Sequence, residues 1–90
     1  MNKEILIKQL LYRSSHRGCK ETDILLGKFV AEKIHEFNGE KLKIYEQFIN
    51  EDDALIYDWI LDKIDLASDT PKGYFDLIAE IRKFHDIYTN

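Results

Sequence analysis

Arg17-Gly18-Cys19-Lys20-Glu21-Thr22-Asp23 separates two amphipathic segments and holds what a helix-to-helix corner requires. Gly18 reaches positive φ without steric cost, so it is the place for the chain to leave one helix and turn into the next. Glu21 and Asp23 then fall in or near the first turn of the second helix, where unpaired N–H groups and the helix dipole favour negative charge. Arg17 falls on the C-terminal side of the first helix, where positive charge is favoured. From spacing alone, capping explains these residues better than a functional site does.

Outward from this corner, the apolar spacing predicts helices on both sides. The first spans about Lys3 to Ser14, with Ile7, Leu10, Leu11 and Ser14 on one face, Asn2 as N-cap, and Ser14, Ser15 and Gly18 ending it. The second spans about Lys20 to Phe37 on a stripe of Leu26, Phe29, Val30, Ile34 and Phe37, and Asn38-Gly39 is expected to stop it in a left-handed turn. Gly27 inside that pattern costs up to about 1 kcal/mol relative to Ala, and a close helix crossing would account for it.

A third helix is expected from about Glu40 to Ile49, with Leu42, Tyr45, Phe48 and Ile49 inward. Asn50 with Asp53 resembles a shortened capping box for a fourth, which carries Leu55, Ile56, Trp59, Ile60 and Ile64. Trp59 is read as a core anchor, since an indole buries a large apolar area. Residues Asp65 to Gly73 form the longest linker, and Thr70-Pro71 within it is a helix start. The last helix runs to about Tyr88 with Tyr74, Leu77, Ile78, Ile81, Phe84 and Tyr88 in register. The expected fold is therefore all-α, a compact bundle of five short helices. Ninety residues are expected to form a single helical domain over 1–90.

With 44% hydrophobic and 33% charged residues, the composition is that of a soluble globular protein. No apolar run is long enough for a transmembrane span, so membrane insertion is not expected. Met1-Asn2-Lys3-Glu4 moves straight into a helical pattern without a signal or transit character. One cysteine, Cys19, fits a reducing compartment, and the expected location is cytoplasmic. A net charge of −4 disfavours nucleic acid. Residues 1–20 carry Lys3, Lys8, Arg13, Arg17 and Lys20 against Glu4, whereas Lys63 is the only basic residue from Glu46 to Asp69. Such opposite-signed regions suit orientation on a protein surface, although solvated helix faces explain most individual charges.

Chemistry-bearing clusters are sparse. His16 with Cys19 is the best nucleus for a metal site, but His35 and His85 lie on other helices, and scattered side chains are the better reading. The same pair lacks an orienting third group and an oxyanion device for nucleophilic catalysis. No glycine-rich phosphate loop or dinucleotide fingerprint is present. Tyr12, Tyr57 and Tyr88 are read as core or boundary residues, with contact to a partner as the alternative.

Arg17, Gly18 and Glu21 also form an Arg-Gly-x-x-Glu sequence, and Glu51-Asp52-Asp53-Ala54-Leu55-Ile56-Tyr57-Asp58-Trp59-Ile60 is an acidic entry into an aromatic helix. In these two blocks, and across roughly Leu10 to Arg82, the chain resembles the FAD assembly factors of succinate dehydrogenase (SdhE). It departs from many members at Ala54, where a proline is common, which leaves the start of that helix less sharply defined. The resemblance implies an assembly chaperone, not an enzyme. Such a factor binds the flavoprotein subunit of succinate dehydrogenase, with fumarate reductase as a second candidate client, and promotes covalent attachment of FAD to it. It implies no cofactor held tightly by this chain, which acts on FAD held by its partner, and a monomer is expected. The partner-binding candidates are Arg17, Gly18 and Glu21, with Asp23, Asp52, Asp53 and Asp58 behind them; Arg17 is expected to pair with a carboxylate of the flavoprotein. A toxin-neutralising small acidic binding protein is the rival from another class.

Overall fold

Helical periodicity decides the architecture. A computed structural model describes residues 2–61 and 72–86, and within them the apolar stripes become five α-helices: α1 (Lys3–Ser15), α2 (Lys20–Lys33), α3 (Gly39–Phe48), α4 (Asp53–Ile60) and α5 (Phe75–Phe84). Short 3-10 turns, Ile34–Glu36 and Lys72–Tyr74, follow α2 and precede α5. No strand occurs among the described residues. Ile64, the Thr70-Pro71 start and Tyr88 lie outside them.

The stripes converge on one core. Leu10, Leu26, Val30, Ile34, Tyr45, Phe48, Ile56, Ile60, Ile78 and Ile81 are sealed from solvent, each large apolar side chain contributing about 1.5–3 kcal/mol. A chain of ring contacts runs from Phe29 through Phe37, Tyr45 and Phe48 to Trp59 and Tyr74, tying α2, α3, α4 and the turn before α5 together. Trp59 is the expected anchor, 3% exposed between Phe48 and Tyr74. Gly27 lies where α1 crosses α2: a Cβ there would stand 3.2 Å from Ser15 Cβ. That close approach explains a glycine inside a helix.

The last helix closes at Phe84, short of the expected Tyr88, with a turn at His85 and Asp86, where Asp86 has a φ of +57. Three further boundaries differ from the sequence expectation. First, α2 ends at Lys33 and tightens into a 3-10 turn. Residues three apart eclipse in that geometry, so Ile34 and Phe37 both keep facing the core. Second, Asn38-Gly39 is a start rather than a left-handed stop. Asn38 is extended (φ −77, ψ 176), its side-chain oxygen accepts from Lys41 N–H at 2.8 Å, and Gly39 opens α3. Third, Asp52 rather than Asn50 occupies the N-cap position of α4, without a side-chain cap bond. Asn50 Oδ1 instead accepts from the Arg13 guanidinium of α1.

Buried polar groups are paired. Ser14 Oγ donates to the Leu10 carbonyl at 2.7 Å, which leaves it to accept from Tyr45 O–H at 2.5 Å. Burial pushes the Tyr45 hydroxyl well above the ordinary tyrosine range, with Ser14 opposing that shift. Arg82 of α5 lies 9% exposed, and its Nε is 3.1 Å from both the Trp59 and Ile60 carbonyls. It donates to carbonyls at the C-terminal end of α4, where intrahelical donors run out.

Candidate functional site

The chain leaves α1 through His16 and turns at Gly18, whose φ is +93, the positive value expected from sequence. A Cβ at Gly18 would meet no atom within 4 Å, so backbone conformation rather than crowding at that atom favours glycine there. The turn closes on itself: Arg17 N–H donates to Asp23 Oδ1 at 2.7 Å, six residues ahead in the first turns of α2.

Arg17 anchors this corner to the far side of the bundle. Its guanidinium donates to the Ile49 carbonyl, to the Glu51 carbonyl at 2.8 Å, and through Nε to the Asp53 carboxylate. The planar fork thus caps the open end of α3 and pairs with the first residue of α4. The side chains of Arg17 and Asp53 are 11% and 28% exposed. Thr22, fully buried, places Oγ1 3.1 Å from the Cys19 carbonyl and 3.3 Å from Asp53 Oδ1.

The predicted site residues therefore divide. Arg17, Asp23 and Asp53 are engaged with each other's segments inside the chain, so the carboxylate Arg17 meets is its own Asp53. Gly18 and Glu21 are exposed on the corner they hold in place, and Asp52 is exposed at the adjoining start of α4. Glu21's own backbone N–H, helped by the Cys19 thiol 3.4 Å from Oε2, holds its carboxyl below the usual range, so it presents a charged carboxylate. Asp58 is half-buried on α4; five residues beyond Asp53, it lies about 140° round the helix at 3.6 residues per turn.

Tyr12, expected in the core or at its boundary, is 64% exposed, and its pairing with His16 was not expected from sequence. The Tyr12 ring stacks on His16 at 4.0 Å and 9°, and His16 Nδ1 lies 2.8 Å from the Tyr12 carbonyl. Their four-residue spacing on a helix was the available signal. Nothing local marks Ile49 and Glu51, whose contribution is backbone carbonyl. Among the described residues no group of three or more His, Cys, Asp or Glu could hold a metal ion, and no helix is long and apolar enough to cross a membrane.

Comparison with known proteins adds to this geometry. Residues 8–85 match the family described as "Flavinator of succinate dehydrogenase". The chain is similar to "Succinate dehydrogenase assembly factor 2, mitochondrial" of Dictyostelium discoideum, 38% identical over 66 residues that cover 73% of this chain and 47% of that protein. It is likewise similar to "Succinate dehydrogenase assembly factor 2-A, mitochondrial" of Drosophila willistoni, 38% identical over 84 residues covering 91% of this chain and 51% of the relative. The chain spans about half the length of these curated relatives. No solved structure matches the chain.

Proposed function

Since the chain belongs to the succinate dehydrogenase flavinator family, a family of assembly factors rather than enzymes, we propose that it binds the flavoprotein subunit of succinate dehydrogenase and promotes covalent attachment of FAD. The observation that carries this reading is the corner itself. Arg17, fixed by three partners, holds an exposed Gly18 backbone and an ionised, exposed Glu21 in one place. A rigid turn with little side-chain bulk allows close approach of another backbone, and Glu21 accepts hydrogen bonds from it.

The factor contributes orientation. Attachment joins a flavoprotein histidine to the isoalloxazine held by that same subunit, and binding of this chain favours the conformer in which the two meet. FAD stays with the partner throughout. Fumarate reductase's flavoprotein is a second client in this reading, the factor acts as a monomer, and the lone thiol of Cys19 suits the reducing cytoplasm.

The test mixes purified apo-flavoprotein with FAD, with and without this chain, and measures acid-stable flavin on the subunit. Acid-stable flavin is expected to accumulate faster with the chain present. An unchanged rate sinks the proposal, and tight binding of free FAD by the chain alone would make it a carrier instead.

A further inference from the structure

Beside the corner, Tyr12, Arg13, His16 and Arg17 line a shallow recess of about 280 Å³. Every ionisable group in this lining except the tyrosine is basic, in a segment that carries Lys3, Lys8, Arg13, Arg17 and Lys20 against Glu4. Tyr12 is 64% exposed, an unusual state for a large aromatic ring, and with Ile5 and Ile24 it belongs to the two helices that flank the corner. Its stacking on His16 gives the recess a flat, ordered aromatic wall at small further entropic cost. His16 Nδ1 carries the hydrogen, because the Tyr12 carbonyl it meets only accepts. Arg13 gives one N–H to Asn50 Oδ1, and a guanidinium has five donors.

Resting on the function proposed above, we infer that this recess is a second contact of the docking surface, and that it receives a carboxylate-bearing segment of the flavoprotein. The recess is continuous with the corner through Arg17, which lines it while holding Gly18 and Glu21. Arg13 supplies the charge-assisted hydrogen bonds for the carboxylate. The Tyr12 ring covers the apolar part of the incoming side chain, as tyrosines do at interface centres. The two contacts have opposite polarity, Glu21 accepting and Arg13 donating, and so set the orientation of the partner.

The experiment titrates this chain into the apo-flavoprotein of succinate dehydrogenase, comparing wild type, Tyr12→Ala, Arg13→Glu and Glu21→Ala, with Lys43→Glu on α3 as a charge control outside the recess. Tyr12→Ala and Arg13→Glu are each expected to raise Kd about tenfold or more, with Lys43→Glu near wild type. A measurement on the wild-type chain needs no variant to fold: diethylpyrocarbonate labelling, located by mass spectrometry. His16 is expected to be protected in the complex while His35, exposed on the turn after α2, stays labelled. Equal labelling of His16 with and without the flavoprotein overturns the recess assignment. So does wild-type affinity in both recess variants while Glu21→Ala alone weakens binding, and the proposed function survives either result. If the wild-type chain does not bind at all, both readings fall.

Discussion

Arg17 and Asp53, 36 residues apart, form an ion pair that joins the α1–α2 corner to the first turn of α4. The same guanidinium takes the carbonyls of Ile49 and Glu51, so its removal strands one carboxylate and two backbone acceptors together.

Arg17→Ala is accordingly expected to destabilise the fold by about 3 kcal/mol, the low end for a broken buried pair because Asp53 keeps partial solvent contact. Arg17→Lys should recover part of this, since it restores charge without the fork. Denaturant melts measure both. Stability equal to wild type in Arg17→Ala would show that the anchor contributes nothing.

Glu21→Ala separates folding from function. Glu21 is exposed, so thermal melts should stay close to wild type, while the rate of acid-stable flavin attachment falls by tenfold or more, as for a lost charged contact. A full attachment rate in this variant removes Glu21 from the site.

Gly18 is tested by a series. With φ at +93 and open space around a Cβ, the penalty is one of backbone strain. Gly18→Asn should cost least and Gly18→Val most, about 1–2 kcal/mol for an ordinary L-residue. Equal stability across the series would mean that the corner readily adopts another conformation.

High pH should loosen the core. Burial, with the hydrogen bond to Glu51 and that residue's charge, pushes the Tyr74 hydroxyl from 10.0 to about 12, and burial pushes Tyr45 in the same direction. The unfolded chain releases these protons first, so stability falls as pH rises above 10 and is fully present below it. Urea midpoints through that range should decline, and less steeply in Tyr74→Phe. The same slope in wild type and variant would exclude Tyr74 as a source.

Association with the flavoprotein should slow as salt rises, because exposed charges are screened over about 8 Å at physiological ionic strength. Stopped-flow mixing at low and high salt measures this, and a rate indifferent to salt argues against steering by the basic first segment.

The sequence by itself determined the elements and their inner faces. Apolar spacing placed Leu26, Phe29, Val30, Leu42, Tyr45, Phe48, Trp59 and Ile81 in the core, where they are, and Gly18 at a positive φ. These features depend on residues within about one helical turn, the range over which periodicity and glycine's freedom act. The resemblance in Arg-Gly-x-x-Glu likewise pointed to the family that matches residues 8–85. Asn2 caps α1 as its position predicts, but tertiary structure alone decided the partners of the polar residues that reach across the bundle. Arg17 turned inward to Asp53 and the end of α3, Asn50 went to Arg13 instead of capping α4, and Arg82 capped α4 from α5. Those partners lie 22 to 37 residues away. They meet only once the helices have packed, because a long side chain entering the interior must find whichever unpaired carbonyl or carboxylate the packing leaves within reach.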